Sequence, residues 1–292
     1  MPELPDLLYI QPRLQAALTG RRVITAQIRQ PIILRSFIDR PPAEVLEGLA
    51  FTGVSLRGPF IRLATSSGVD IIVNLMLAGR LHIQEPGDRA PGHLCLSLAL
   101  DNGTRLNLCD DEKMAKVYLV RSAEASSVPR YGSQGIDVLS GAFTEEAFAA
   151  LAAQHRRKQV RVFINDHTIL SAIGNAYADE ILWEARIHPK SLVASLTPAR
   201  LVDLHRAITG TLAWGAAAVR EASQPIHVKV REHMRVRNRH GEPCPRCGST
   251  IRREGVRGHD VFFCPACQPA TRRHFIDWQA ARGGHAGEPP AE

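Results

Sequence analysis

The sequence predicts an α+β protein with an N-terminal helix, a β-sandwich or barrel, a helical region and a small C-terminal module built on cysteines. Three observations support this fold class. Short alternating β-rich segments fill residues 22–122, apolar residues at helical spacing dominate residues 144–224, and two Cys-x-x-Cys pairs follow. A chain of 292 residues has room for two modest domains and one small module.

The first helix is predicted over residues 4–19, where Leu7, Leu14 and Leu18 recur at helical spacing and Gly20 follows as a stop signal. The β-rich segments after it are separated by Gly, Pro, Asn and Asp, which is typical of a sandwich or barrel.

A linker is predicted next, over residues 123–143, because this segment is polar and rich in Gly and Ser. Thr144 is a good N-cap for the helical region that follows. Further helices are predicted over residues 170–187 and 197–222. The tail after residue 279 is predicted to be disordered.

The composition is that of an ordinary globular protein, and its positive charge is compatible with a polyanionic partner, although many basic proteins bind nothing acidic. Hydrophobic residues make up 45% and charged residues 22% of the chain, and the net charge is +7 with a pI of about 9.4. No stretch of about 18 apolar residues occurs, and the first ten residues lack the features of a signal peptide. We therefore expect no membrane association and a cytoplasmic location.

The two Cys-x-x-Cys pairs are the strongest local motif. Cys244 and Cys247 form the first pair, and Cys264 and Cys267 form the second after an interval of sixteen residues. Two such pairs on a β-hairpin complete a tetrahedral sulfur site with no open position, which predicts one structural zinc ion rather than a catalytic one. The alternative is four unrelated reduced cysteines, as expected in a reducing cytosol.

Positive charge surrounds these cysteines. Residues 225–275 contain eleven Lys and Arg but only four Asp and Glu. A charged segment is often just a solvated surface. Here the charge is concentrated on a small metal-bound hairpin, which favours contact with phosphates.

Three separated motifs together resemble the formamidopyrimidine-DNA glycosylase/endonuclease VIII family. They are MPELPD at the N-terminus, LSAIGNAYADEILWEARIHP in the middle and the cysteine finger near the C-terminus. The resemblance covers nearly the whole chain. It implies a helix–two-turn–helix module between the sandwich and the zinc hairpin, a clamp on damaged duplex DNA and extrusion of the damaged nucleotide.

The resemblance also implies a domain organisation, a partner and a location. The partner is damaged double-stranded DNA, the chain is expected to act as a monomer, and the location is the bacterial cytosol or nucleoid. The expected parts are an N-terminal catalytic β-sandwich over residues 1–122, a linker over 123–143, a helix–two-turn–helix domain over 144–235, a zinc finger over 236–278 and a disordered tail over 279–292.

Pro2 and Glu3 are the catalytic residues that the resemblance implies. Removal of the initiator methionine would leave a secondary α-amine on Pro2, which titrates near pH 8 and is partly neutral and nucleophilic near neutral pH. Its attack on the sugar C1′ would give an iminium and open a route to β-elimination. Glu3, in a partly desolvated site, would hold a proton and donate it to the opening sugar.

Several residues are expected to contact DNA. Gly174 permits close approach of the backbone to a ligand, and the helix after it would offer free N–H groups to a phosphate. Asn175 resembles the phosphate-contacting asparagine of the family, although this turn is also compatible with an ordinary helix connection. Lys158 is a further candidate, and Leu77 and Met114 are candidate wedges for the space left by a flipped base.

The chain also departs from the family. Pro59 replaces the lysine of the catalytic strand, and on an alternating strand Arg57, rather than Arg62, would share the face of position 59. His259 replaces the arginine of the finger, with Arg257 as a possible substitute.

Two acidic positions add to these departures. Glu112 stands where an arginine would pair with the orphaned base, and Asp6 stands where many members have glutamate. These changes predict a substrate range shifted away from 8-oxoguanine and make δ-elimination doubtful.

Two functions are compatible with this sequence. The first is a DNA repair glycosylase with possible β-elimination (AP lyase) activity, since Pro2 and Glu3 are present. The second is a catalytically impaired protein that binds lesions or DNA structures on the same scaffold. A zinc-ribbon adaptor for protein or RNA is a third hypothesis, but it leaves the N-terminal and central motifs unexplained.

Overall fold

The computed structural model describes residues 2–256 and 258–270. The chain starts with helix α1 (Leu4–Leu18), followed by nine strands that form two sheets. The strands are β1 (Val23–Ile28), β2 (Leu34–Ser36), β3 (Phe51–Arg57), β4 (Phe60–Thr65), β5 (Val69–Asn74), β6 (Arg80–Gln84), β7 (Leu94–Leu100), β8 (Arg105–Cys109) and β9 (Lys116–Arg121), with helix α2 (Pro42–Leu46) between β2 and β3.

The two sheets pack face to face as a sandwich. Their strand orders are β1-β7-β8-β6 and β2-β9-β5-β4-β3, and every neighbouring pair is antiparallel except β2 and β9. Alternate apolar side chains of both sheets meet in one core. This core includes Leu63 and Ile71 from one sheet and Leu98 and Leu106 from the other. The sandwich predicted from the alternating segments is therefore confirmed.

Helix α1 connects the sandwich to the second half of the molecule. Leu7, Leu14 and Leu18 are buried in the sandwich core, while Leu4 belongs to the core of the helical domain. Because α1 begins at Leu4, the residues just before it lie where the two domains meet. The predicted helix over residues 4–19 matches α1 to within one residue.

The helical domain is built from four helices and one short parallel strand pair. Its elements are β10 (Ile136–Asp137), α3 (Glu145–Gln154), α4 (Val160–Ile164), β11 (Leu170–Ser171), α5 (Asn175–Glu184) and α6 (Pro198–Ala222). The side chain of Thr144 accepts a hydrogen bond from Ala147 N at 3.1 Å, as its predicted role as N-cap requires.

Two expectations about this region need correction. Residues 170–187 do not form one helix: Leu170 and Ser171 pair with β10, and α5 begins only at Asn175. The segment predicted as a linker is not structureless, because it supplies β10 and the buried side chain of Val138 to the helical domain. A short polar segment can thus pack against a neighbouring core without a strong apolar pattern of its own.

The last described element is a hairpin of β12 (Arg252–Val256) and β13 (His259–Phe263). It packs on α5 through Phe262, Ile251 and Trp183, which share a small apolar cluster with Cys244 and Cys264. None of the helices in residues 2–256 and 258–270 has the length and apolar character needed to span a bilayer.

Candidate active site and nucleic-acid interface

The carboxylate of Glu3 is bound by the N-terminus of α5. Its two oxygens accept hydrogen bonds from Ala176 N and Tyr177 N, each at 2.9 Å, and the residue is 6% exposed. Burial raises the pKa of Glu3 above its usual range, although the N–H groups of Tyr177 and Ala176 oppose this. Glu3 can therefore retain a proton at a higher pH than an exposed glutamate.

This contact corrects the expectation that the first N–H groups of α5 would be free for a phosphate. Two of them are already occupied by Glu3, 173 and 174 residues away in sequence. The positive end of the helix dipole stabilises a carboxylate as well as it does a phosphate. Sequence reasoning treated the N-terminal and central motifs as separate sites, whereas the structure joins them in one.

Gly174 is needed for this approach, because a Cβ at that position would lie 2.3 Å from Glu3 Cδ and 2.6 Å from Glu3 Oε1. We expect Gly174→Ala to destabilise the fold by about 1–3 kcal/mol, since a buried side chain would have to move. Thermal unfolding would show this as a lowered Tm. Gly210→Ala is the matched control, because a Cβ at Gly210 meets nothing within 4 Å and helix α6 favours alanine. An equal Tm loss in both variants would contradict this account.

Asp6 and Arg231 fix the start of the chain from the other side. Glu3 N donates to Asp6 Oδ2 at 2.8 Å, and the guanidinium of Arg231 binds both Asp6 oxygens at 2.9 and 2.7 Å. The pair is largely buried. A bidentate ion pair holds its geometry more tightly than a single contact. The backbone that carries Pro2 is therefore positioned by Asp6 and by Arg231, which is 225 positions from Asp6 in the sequence.

Pro2 is buried and lines a small cleft at this junction. One wall of the cleft comes from Leu75, Gly79 and Arg80, in and beside the loop between β5 and β6. The other wall is a segment we call the strap, residues 224–231, which follows α6. Tyr9 Oη donates to Gln224 O at 2.7 Å and anchors the strap to α1.

Asn175, the first residue of α5, is oriented by two donors. Its Oδ1 accepts from Arg161 Nη2 at 3.0 Å and from Asn165 Nδ2 at 2.9 Å. With the oxygen occupied in this way, the amide NH₂ is directed away from both donors and can donate to a ligand. The role of Asn175 in phosphate binding remains a prediction, but its geometry is suited to that role.

Sequence reasoning missed a buried charge network behind Asn175. Asp179 binds Arg161 at 3.0 Å and Arg237 at 2.8 Å, and it also accepts from Phe262 N at 3.3 Å. The network joins α4, α5 and the hairpin, so the orientation of Asn175 depends on the hairpin. The sequence did contain a signal for this network. Asp179 and Glu180 follow Asn175 by about one helical turn, and acidic residues on a buried helix need charged or hydrogen-bonding partners.

Glu180, the next residue, holds the segment that leads to the finger. Its carboxylate accepts from the backbone N–H groups of Arg235, Val236 and Arg237 at 2.9 to 3.1 Å. These three N–H groups bound to one carboxylate fix the path of residues 235–237, which belong to neither a helix nor a strand.

The four predicted metal ligands come together. The Sγ atoms of Cys244, Cys247, Cys264 and Cys267 lie within 4.8 Å of one another, and none is in a disulfide. Zinc with four Zn–S bonds of about 2.3 Å places its sulfurs about 3.8 Å apart, and the separation of Cys244 Sγ from Cys267 Sγ is 3.9 Å. Trp183 Nε1 donates to Cys244 Sγ at 3.4 Å, as suits a thiolate ligand. These residues fit one structural zinc ion.

The turn between β3 and β4 differs from the expectation. Pro59 is not on an alternating strand: Gly58 and Pro59 form the turn itself, and Pro59 is buried. Arg57 does not project into the cleft, because its guanidinium donates to Tyr131 O at 2.7 Å and lies over the Tyr131 ring. Arg62 is paired with Asp70. Neither arginine therefore replaces a cation at position 59 in this structure.

Two loops of the sandwich expose apolar side chains. Leu77 is 61% exposed in the loop between β5 and β6, and Met114 is 41% exposed in the loop between β8 and β9. The buried carboxylate of Asp110 accepts from the N–H groups of Glu112, Met114 and Ala115, which fixes the second loop. Exposed apolar tips on rigid loops are suited to insertion into a base stack, so the proposed wedge role stands as a prediction.

The remaining candidates are less informative. His259 is exposed at the start of β13, where contact with a phosphate is open to it. Arg257 lies outside the described residues. Lys158 is in an ion pair with Asp166 at 2.8 Å, so this lysine has a structural partner besides any phosphate. The exposed side chain of Glu112 provides a carboxylate rather than a donor on the loop that carries Met114.

Three family models match consecutive parts of the chain. They are the formamidopyrimidine-DNA glycosylase N-terminal domain over residues 1–117, the H2TH domain of the same family over 134–226, and the zinc finger found in FPG and IleRS over 241–270. Their order follows that of the sandwich, the helical domain and the hairpin.

Similar proteins cover most of the chain. Formamidopyrimidine-DNA glycosylases of Chloroflexus aurantiacus and Pelotomaculum thermopropionicum are 32% and 30% identical to it, covering 92% of this chain and 98% and 99% of their own. The solved structure of Lactococcus lactis Fpg in complex with DNA containing an abasic site has a TM-score of 0.84 at 22% identity. It covers 92% of this chain and 100% of its own. The protein therefore belongs to the formamidopyrimidine-DNA glycosylase family.

Proposed function

We propose that this protein excises a damaged base from duplex DNA by attack of the Pro2 amine on the sugar C1′, and that it then nicks the strand by β-elimination. The observation that carries the proposal is the junction of the two domains, where Pro2 lines a cleft and Glu3 is buried with a raised pKa. Family membership supports the glycosylase activity. The proline mechanism, the lyase step and the lesion are our inference.

The first step requires a neutral nucleophile. Removal of Met1 would expose the secondary amine of Pro2, and an α-amine is partly unprotonated near neutral pH. Attack on C1′ forms the C1′–N bond and breaks the glycosidic bond, and the base leaves with the electron pair and takes up the proton that the amine nitrogen loses. Loss of the ring C1′–O4′ bond then gives the iminium.

Glu3 is suited to supply the proton for the opening sugar. Its pKa is raised by burial, so its neutral form is available to donate to O4′. The carboxylate that remains is held by Ala176 N and Tyr177 N. The iminium in turn acidifies the C2′ proton, and removal of that proton by water allows the 3′ phosphate to depart.

DNA is proposed to lie across the cleft between the two domains. Leu77 and Met114 would enter the base stack, while Asn175, His259 and the arginines of the hairpin would hold phosphates. The absence of a cation at the Gly58–Pro59 turn and the carboxylate of Glu112 favour a lesion range other than 8-oxoguanine opposite cytosine. We infer a monomer acting in the cytosol or nucleoid, since one clamp contains every group that the mechanism uses.

The test is borohydride trapping and strand nicking on duplexes with an abasic site, oxidised pyrimidines, oxidised purines and alkylated bases. We expect the wild-type protein to form a covalent adduct with abasic-site DNA and to release at least one lesion base. Binding to such DNA with neither an adduct nor a nick would reject the proposal. That result would favour the second candidate, an impaired lesion-binding protein, for which buried Pro59 and exposed Glu112 are the specific observations.

Glu3→Gln gives a separate prediction about pH. Because the pKa of Glu3 is raised, its acid form is depleted only as the pH rises through this higher value, and base excision by the wild type should fall there. Glu3→Gln keeps an acceptor for one of the two α5 N–H groups but carries no acidic proton. We expect base excision to fall by about 100-fold or more and this limb of the pH profile to disappear. An unchanged profile in Glu3→Gln would assign the limb to another group.

A further inference from the structure

A lysine of the strap lines the same cleft as Pro2. Lys229 follows His227 and Val228 in the chain, and all three residues contribute to the wall opposite Gly79. Lys229 is half-buried, and its Nζ donates to Leu77 O at 2.8 Å. The ammonium group therefore contacts the loop that carries the proposed wedge, and its residue lines the cleft that Pro2 also lines.

Lys229 differs from the two arginines that line the cleft region. Arg80 is paired with Asp111, and Arg231 is paired with Asp6. Lys229 has no carboxylate partner among the described residues, and its partner is a neutral carbonyl. A carbonyl is a weaker partner for an ammonium than a phosphate is, so phosphate can replace it. Arg80 and Arg231, in contrast, are each neutralised by a carboxylate.

No cation reaches the cleft from the β3–β4 turn. Gly58 and Pro59 carry no charge, and the adjacent Arg57 is committed to the carbonyls of Tyr131 and Gly132. Among the described residues, a negatively charged strand entering this cleft would thus meet Lys229 as a positive group that no carboxylate neutralises. When a phosphate is eliminated, new negative charge develops on the leaving oxygen. A cation fixed beside that oxygen lowers the activation free energy of the elimination.

We propose that Lys229 is a catalytic residue of the strand-nicking step, with its ammonium bound to the phosphate 3′ to the abasic sugar. This rests on the proposed function, because it assumes the Pro2 iminium. The phosphate is only a few covalent bonds from C1′, so a cation beside Pro2 can reach it. In the step, water takes the C2′ proton, the electron pair forms the new carbon–carbon double bond, and the C3′–O3′ bond breaks. The phosphate leaves as an anion paired with Lys229.

The assignment separates two steps of the reaction. Iminium formation at C1′ depends on Pro2 and Glu3, whereas departure of the 3′ phosphate depends on Lys229. Lys229→Met should therefore form the borohydride adduct at a rate within about twofold of the wild type but nick abasic-site DNA about 10- to 100-fold more slowly. Lys229→Arg keeps the charge and should retain most of the nicking.

Lys190→Met is the matched control, because it removes one lysine charge on the connection between α5 and α6, where Lys190 pairs with Glu254. It should leave the ratio of nicking to trapping unchanged. A duplex in which the 3′ phosphate is replaced by a neutral methylphosphonate supplies a second comparison. With that DNA, the difference in nicking rate between the wild type and Lys229→Met should shrink, because the anion that the ammonium binds before the bond breaks is absent.

The outcomes distinguish this inference from the proposed function. A wild-type protein that never forms the adduct rejects both. A wild type that forms it, together with a Lys229→Met variant that nicks at the wild-type rate, rejects the role of Lys229 alone. Equal loss of trapping and nicking in Lys229→Met would likewise overturn the inference, because it would mean that Lys229 positions the strap or the substrate. A difference of undiminished size on methylphosphonate DNA would show that the phosphate charge is not its target.

Discussion

Replacing Pro2 with leucine is expected to abolish the borohydride adduct with abasic-site DNA. A bulky second residue prevents removal of Met1, so the free amine would belong to methionine and lie one residue farther from the cleft. Removal of a covalent nucleophile is among the largest single-residue effects in enzymes, and we expect nicking to fall on the order of 1,000-fold or more. Intact-mass measurement of the wild type should show that Met1 is absent.

Two variants complete this experiment. Pro2→Gly still permits removal of Met1 and leaves a primary amine, so it should retain a weak adduct. Pro12→Ala removes a different, exposed proline from the interior of α1 and should trap like the wild type. Full trapping by Pro2→Leu would place the nucleophile on another residue, which mass spectrometry of the borohydride-reduced peptide would identify.

Loss of one zinc ligand is expected to have the second large effect. Cys264 is fully buried and lies in the apolar cluster that attaches the hairpin to α5. Structural zinc contributes on the order of 10 kcal/mol to the folding of small zinc modules, so Cys264→Ser should unfold the hairpin while the sandwich persists. Zinc content should fall from one ion per chain to substoichiometric levels.

DNA affinity should fall with it, by roughly 100-fold at physiological salt, since several phosphate contacts would be lost together. Part of this loss would come from Asn175, because Asp179 binds both Arg161 and the hairpin. Cys95→Ala is the matched control, as Cys95 is a buried cysteine of β7 outside the metal cluster. Undiminished zinc content and DNA affinity in Cys264→Ser would contradict a structural role for the metal.

The local features of the fold could be predicted from the sequence because their causes are local. Alternating side chains gave the strands of the sandwich, the spacing of Leu7, Leu14 and Leu18 gave α1, and Thr144 marked the start of α3. The zinc site was also predictable, because two Cys-x-x-Cys turns need only a hairpin to meet. Each of these depends on residues close together in the chain or on one simple pairing.

The arrangement of the candidate site depends on distant residues and could not be predicted in the same way. The contact of Glu3 with α5 joins positions more than 170 residues apart, and the Asp6–Arg231 pair joins positions 225 apart. Arg57 was misassigned because its side chain turns to the carbonyl of Tyr131, and Pro59 because it lies in a turn rather than on a strand. Such choices are decided by tertiary packing, which periodicity does not record.

The cradle of Glu3 has a consequence for the energetics of turnover. Once the acid has given up its proton, the resulting anion is held by two amides and faces the positive pole of a helix that was folded in advance. Burial of Glu3 makes its neutral form available, while the two amides lower the free energy of the carboxylate that remains after proton transfer. Burial still outweighs these two amides, so the carboxylate takes up a proton again more readily than an exposed glutamate, and the acid is restored for the next turnover.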